Sequence, residues 1–392
     1  MRGVNLMRVR DLKEHMKLPL NLCVALSLVF PAIACADTAP PPDPTTLSQL
    51  EEKLEADCSA GRFSGIVIAR QDRRIVFKHI CGLADVATKT PFTEETRVKI
   101  FSVSKTFTGT LIMSLADRGG IALDGLARRY IPEMPAEWQQ ITIRQLLNHT
   151  SGIPDLTEKL LAAYQAHPQS GWDGAMREVL THLTAQDKAI NGTPGAAWVY
   201  NNFGYELLAR AIENVTHHSY EDEITKIIFV PAGMKTAEIA KPKIENGKIA
   251  GSKPSVGLAQ GYIGKPGALE PANSFQFVQM GAGAIYANAQ DMFNYDSALS
   301  SGKIVSAKVL DDCVRNAFVT LPNKASYGCG WVVRQLGSET YFQHDGGNNG
   351  FVTDFARDPK KGITVVVMSN LGFADPGDYR YPLMKILLGS SQ

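Results

Sequence analysis

"FSVSK", residues 101–105, places Ser102 and Lys105 three residues apart at the front of the run "TFTGTLIMSLADRGG". Phe107, Leu111 and Leu115 recur at helical spacing, and two glycines close the run, so it reads as a helix of about four turns. Three residues make nearly one helical turn, so Lys105 stands over Ser102 on one face. Ser102 then lies where free N–H groups and the positive helix end favour a developing anion. A serine hydroxyl needs a base to attack. A lysine is a charged acid at neutral pH, and bringing it to about 7.5 takes roughly 4 kcal/mol against the ammonium form, which burial can supply. With 22 Ser and 22 Lys, about one Ser-x-x-Lys is expected by chance. The second instance, Ser300…Lys303, lies in a Ser/Gly loop where nothing fixes a geometry. The motif alone equally describes a helix-capping serine followed by a surface lysine.

Two further signals follow along the chain. "WVYNNFGYELL" holds Tyr200 and Asn202 just before a helix, as the chain leaves a Gly/Pro loop. A tyrosine can relay a proton, and an asparagine amide can hold both a lysine and a substrate carbonyl. The plain alternative is a helix N-cap at Asn202; the same spacing recurs at Tyr286…Asn288. In "YFQHDGGNNGF" a strand ends in His344-Asp345-Gly346-Gly347. Alternation puts His344 and Gly346 on one face and turns Asp345 away. Two glycines let a ligand lie against the strand, and the Gly347 N–H can donate to it. The plain alternative is a glycine-rich hairpin with a surface histidine.

Around these signals the pattern is strand, helix, strand. "LSQLEEKLEADCSAG" reads as an amphipathic helix, and "FSGIVIAR" and "RRIVFKHICG" as a hairpin turning at "QDR" (71–73). Helical spacing dominates the middle. "GCGWVVR", "TYFQHDG", "FVTDFARD" and "GITVVVMSN" return to strands before a last helix, "YRYPLMKILLG". This is an α+β pattern: one sheet from the two chain ends, covered by terminal helices, with a mostly helical region inserted. The expected catalytic domain is 47–392, its α/β part about 47–100 and 265–392 and its helical part about 101–264.

Taken in order, the three motifs resemble the serine β-lactamase and penicillin-binding-protein superfamily, in particular the group of class C β-lactamases, D-alanyl-D-alanine carboxypeptidases, D-aminopeptidases and related esterases. "LLNHTSGIPD", "RGGIALDG", "YIPEMP" and "YNNFGYELLARAIE" look like the same group, over roughly residues 47–388. The resemblance implies an antiparallel five-stranded sheet with the site between it and the helical region. It implies Ser102 as acylated nucleophile, Lys105 and Tyr200 sharing the proton work, and Asn202 orienting lysine and substrate. His344 takes the first place of a Lys-Thr-Gly motif, which occurs nowhere in the chain. The N–H groups of Ser102 and Gly347 would form the oxyanion hole. No metal or cofactor is implied. A neutral imidazole is a weaker partner than a lysine for a β-lactam carboxylate, and Asp345 stands where a hydroxyl residue is common. The expected activity is therefore a D-amino-acid peptidase, carboxypeptidase or esterase ahead of a class C-like β-lactamase. A penicillin-binding sensor or non-catalytic binding domain is the reading of a different class. His149 in "NHTSG" reads as a hydrogen-bonded turn residue.

Composition narrows the partners. A net charge of +1 gives no reason to expect nucleic acid or an acidic membrane. A small-molecule or short-peptide substrate is expected. No Gly-x-Ser-x-Gly elbow and no His-x-x-x-His occur, which disfavours an α/β-hydrolase and a zinc β-lactamase. Residues 1–36 read as a secretory signal: basic residues precede an uncharged stretch from Leu18 to Ala36. Met16 is the more natural start, leaving 1–15 as an extension. Pro19, Asn21 and Pro31 make a poor membrane span. A lipoprotein acylated on Cys35 is the lesser alternative. "TAPPPDPTT" completes a Pro-rich linker over 37–46. Cleavage removes five basic and two acidic residues, leaving 35 against 37, a charge of −2. The expected location is periplasmic or secreted, where Cys58, Cys81, Cys313 and Cys329 can pair. Three connectivities are open, with pairing inside each half as the working expectation, beside four plain buried thiols.

Overall fold

The computed structural model describes residues 44–252, 256–273, 280–316, 319–320 and 325–389. The expected signal segment, Cys35 and most of the linker lie outside the described residues. The first hairpin shows how the sheet begins. Asp72 (φ 48°) and Arg73 (φ 68°) are both left-handed, the geometry of a two-residue turn that matches strand twist. They join β1 (Gly65–Gln71) to β2 (Arg74–Cys81). The other chain end supplies β3 (Val319–Thr320), β4 (Ser326–Gly328), β5 (Trp331–Leu336), β6 (Glu339–Asn348), β7 (Phe351–Asp358) and β8 (Ile363–Ser369). All pair antiparallel in the order β3-β4-β5-β6-β7-β8-β1-β2. The ends of the chain meet at β1–β8, from Gly65 opposite Ser369 to Gln71 opposite Ile363. The described sheet thus has eight strands, not five; the short β3 and β4 extend one edge.

β1 and β8 are apolar without alternation because both sheet faces are covered. Val67, Ala69, Val365 and Val367 pack on Leu50 and Leu54 of α1 (Leu47–Ser59) and Leu383 and Met384 of α5 (Gly377–Leu388). Ile66, Ile68, Val366 and Met368 point the other way, into the larger core under the helical region. There lie α2 (Ser104–Asp117), α3 (Asn202–Thr216) and α4 (Ala289–Ser300). A hairpin at 242–252 falls in the stretch the spacing assigned to the helical part, and another, at 262–271, straddles its expected end.

α2 is the centre of the molecule. It is buried from Ser104 to Leu115, so its polar side chains need partners inside. Thr108 bonds Tyr220 and the Gly281 carbonyl, each at 2.6 Å, and Thr110 bonds Tyr295 at 2.7 Å. At Gly109 a side chain would strike the Cys329 carbonyl.

The cysteines pair as Cys58–Cys81 and Cys313–Cys329. The second bond closes a loop over a sequence separation of 16 and ties the β4–β5 turn, which packs closely on α2, to Cys313. Replacing both of its cysteines by alanine is expected to lower the unfolding free energy by about 3 kcal/mol. The urea midpoint under non-reducing conditions measures this; equal midpoints would show that packing alone holds the turn. Among the described residues no helix is long and apolar enough to cross a membrane.

Candidate active site

Ser102 does not sit inside α2. Phe101 takes φ 43°, a left-handed conformation that costs a bulky residue about 1–2 kcal/mol. The kink starts a single 3₁₀ turn, Phe101–Val103, which runs into α2 at Ser104. Phe101 is buried, with Phe351 at 6.5 Å between ring centroids, and that burial offsets the strain. His149 (φ 58°) and Cys329 (φ 47°), both beside the site, are left-handed as well.

Lys105, the second residue of α2, is fully buried. Its Nζ donates to Asn202 Oδ1 at 2.7 Å, to the Ala282 carbonyl at 3.1 Å and toward Ser102 Oγ at 3.2 Å. Burial brings its pKa down to about 7, against the opposing charges of Glu206, Asp155 and Asp345. A fall of that size corresponds to roughly 4–5 kcal/mol against the ammonium form. Lysine as free base is therefore well populated at neutral pH. Tyr200 donates its hydroxyl to Ser102 Oγ at 2.8 Å, and burial pushes its pKa well up. It is a phenol and not a phenolate, suited to relaying a proton.

The N-cap of α3 is Asn201, not Asn202. Asn201 Oδ1 accepts the Gly204 N–H at 2.8 Å, and its amide donates to the Ile153 carbonyl. This leaves the Asn202 side chain free to turn to Lys105. Asp155 accepts the N–H groups of Asn202 (3.1 Å) and Phe203 (3.2 Å), holding the helix start over α2. The second Tyr-x-Asn is an ordinary cap, with Asn288 accepting from Asp291 N–H. At the second Ser-x-x-Lys, Ser300 accepts from Arg357.

β6 brings the third motif. Its pairing with β5 ends at Gln343, whereas pairing with β7 runs on to Asn348. Residues 344–348 therefore extend past β5 beside the kink. A Cβ on Gly346 would collide with the Ile100 carbonyl and lie 3.0 Å from the Ser102 nitrogen, so glycine is required there. Gly347 follows, exposed. An extended substrate can lie along such an edge with its carbonyl near Ser102. His344 is buried, with its ring centroid 6.5 Å from that of Tyr200. Its Nδ1 lies 2.6 Å from the Asp345 carbonyl, which only accepts, so Nδ1 carries the proton. Nε2 then accepts from the Tyr327 hydroxyl at 3.1 Å. Burial lowers its pKa to about 4, and Lys105 adds to that while Asp345 opposes it. The imidazole is neutral, with both nitrogens engaged inside the protein.

Three contributors were not legible as motifs. Tyr327 and the Ala282 carbonyl come from short, unremarked segments. Glu206 did carry a signal: it lies four residues after Asn202, hence on the same face of α3. His149 is buried among Trp198, Tyr200, Tyr205 and Tyr327, and its Nδ1 accepts the Asn201 N–H at 3.2 Å. Burial keeps it neutral, with a pKa well below the usual value.

Comparison with known proteins agrees with this geometry. The chain is 28% identical over 320 residues to penicillin-binding protein 4* of Bacillus subtilis, covering 79% of this chain and 68% of that protein. It is 26% identical over 330 residues to a D-aminopeptidase of Brucella anthropi, covering 83% of this chain and 59% of that protein. Against the latter, then, it spans little more than half the relative's length. In structure it resembles the octameric penicillin-binding protein homologue of Pyrococcus abyssi, with TM-score 0.74 and 25% identity over 88% of this chain and 78% of that one. A D-amino acid amidase of Ochrobactrum anthropi SV3 shares the fold, with TM-score 0.68 and 24% identity over 87% of this chain and 97% of that one. The family model named Beta-lactamase matches residues 47–388, almost the whole described chain, and the chain accordingly belongs to the beta-lactamase family of serine hydrolases.

Proposed function

We propose that this chain is an exported hydrolase that cleaves an amide or ester bond through an acyl-enzyme on Ser102, acting on D-amino-acid derivatives. The observation that carries this reading is one serine oxygen within reach of both a buried lysine and a neutral tyrosine. Lys105 as free amine takes the Ser102 proton while Oγ bonds to the substrate carbonyl carbon. The oxyanion gathers on the N–H groups of Ser102 and Gly347, and losing one such donor costs about 3–4 kcal/mol. The proton passes from Lys105 through Tyr200 to the leaving nitrogen or oxygen, and water then releases the acid by the reverse route. Asn202 keeps Lys105 aimed and offers its amide to the substrate.

The charge around β6 supports the choice of substrate. His344 is neutral and spent on Tyr327 and Asp345, and the next side chain, Asp345, is an exposed acid. A substrate whose terminal carboxylate must be gripped there finds little to hold it. An amide or ester of a D-amino acid does not need that grip. The D-aminopeptidase and D-amino acid amidase relatives point the same way. The two disulfides suit an oxidising compartment, which supports export.

The test is turnover of D- and L-amino-acid p-nitroanilides and p-nitrophenyl esters from pH 5 to 9, with intact-protein mass after benzylpenicillin. Preference for the D-series is expected. kcat/KM should rise with pH through about 7, because the working form of Lys105 is the one without its proton. His344→Gln should leave that limb in place, since His344 is already neutral there. A penicillin adduct rapidly lost with drug consumed would transfer the assignment to a β-lactamase. No turnover of either series and no adduct would leave a binding domain.

A further inference from the structure

Glu206 takes no part in the steps above, yet it is fully buried on α3 one turn beyond Asn202. Its carboxylate reaches across to the turn Met280–Gly283: Oε2 accepts the Gly281 N–H and Oε1 the Ala282 N–H, each at 3.1 Å. The same Ala282 offers its carbonyl to Lys105 Nζ. Thr108 of α2 holds the Gly281 carbonyl, and a Cβ on Gly281 would strike the Tyr205 carbonyl of α3. The turn is thus clamped between α2 and α3, with Glu206 holding the N–H of the same residue whose carbonyl aims at Lys105. One N–H to each oxygen suits a carboxylate, which only accepts. Burial raises its pKa to about 8, against the pull of the N–H donors and Lys105. The charged and titratable groups facing Lys105 are Glu206, Asp155, Asp345, His149, His344, Tyr200 and Tyr205. Glu206 leads the charges that favour its protonated form. Lys99, also fully buried, draws on Glu206 as well.

We propose that Glu206 is a positioning residue for the reaction, fixing the Ala282 carbonyl on Lys105 and giving the ammonium form a buried counter-charge. This rests on the assignment of Lys105 as the base for Ser102. Glu206 reaches the lysine through the residue that bears the Ala282 carbonyl. It therefore acts on every substrate alike, through the lysine.

The test follows p-nitrophenyl acetate hydrolysis from pH 5 to 9 in the full chain, with Ser102→Ala as the blank. Glu206→Gln keeps the shape but loses the charge, so Lys105 gives up its proton more readily. The acid limb of kcat/KM should move down by about one pH unit. The amide also leaves one N–H of the turn without an acceptor, so the plateau should fall roughly ten- to hundredfold. Glu206→Asp keeps the charge on a shorter stem: its limb should stay near that of the parent while its plateau falls. An unmoved limb in Glu206→Gln overturns the proposal, including the case of a uniform loss at every pH with a lowered melting temperature. Should Glu206→Gln not fold, a parental plateau in Glu206→Asp overturns it instead. A parent no faster than Ser102→Ala sinks the serine assignment itself, which is a separate result.

Discussion

Ser102→Ala and Lys105→Ala are each expected to cut acylation by roughly 10⁴-fold or more, and the double variant should lose no more than either single one. Nucleophile and base act as a unit: Lys105 lies 3.2 Å from the serine oxygen, and without it Tyr200 is left as a donor with a raised pKa. Tyr200 cannot take over as base near neutral pH. Lys105→Met separates chemistry from packing, since it keeps the buried stem and removes the amine. The measurement is the burst of p-nitrophenolate from an activated ester, with thermal melting recorded on the same samples. The fold should survive Ser102→Ala, because that side chain bonds only within the site. Small losses that add in the double variant would remove the pair from the mechanism.

Asp296→Ala is expected to destabilise the protein by about 3–5 kcal/mol, the largest effect foreseen outside the site. Asp296 of α4 receives Arg70 of β1 at 2.8 Å, Arg357 of β7 at 2.6 Å and Thr364 of β8 at 2.6 Å. This one carboxylate ties α4 to strands from both chain ends. Arg357 is itself only 3% exposed, so removing Asp296 strands a buried cation. Burial pushes the Asp296 pKa up, but Arg357, Thr364 and Arg70 hold it below the usual value. A depressed carboxyl stabilises the fold above its unfolded pKa and loses that contribution as pH falls through the folded one. Asp296→Asn should therefore flatten the loss of stability below about pH 4. Urea midpoints at pH 7 and pH 3 for parent, Asp296→Ala and Asp296→Asn measure both effects. A midpoint unchanged in Asp296→Ala would show that the sheet and helices hold together without this link.

The local alphabet of the chain settled much of this. Spacing alone marked the β1–β2 hairpin, the helix after Ser102 and the strands that close the sheet. It also set Ser102…Lys105, at the start of a helical run, apart from Ser300…Lys303, which follows one. The three motifs in order indicated the family and the residues that meet at Ser102. Tertiary structure decided the rest. A cap at Asn202 was the plain alternative; Asn201 caps α3, and only the packed chain shows which amide faces the lysine. The neutrality of His344 comes from its burial, and its tautomer from Tyr327 and the Asp345 carbonyl. The lowered pKa of Lys105 comes from burial beside Asn202 and Ala282, which lie 97 and 177 residues away along the chain. The physical division is plain. Periodicity, caps and turns depend on neighbours within a few residues, so they are written in the sequence. A proton affinity depends on which distant groups exclude water and which charges they bring, and that exists only once the chain has closed on itself.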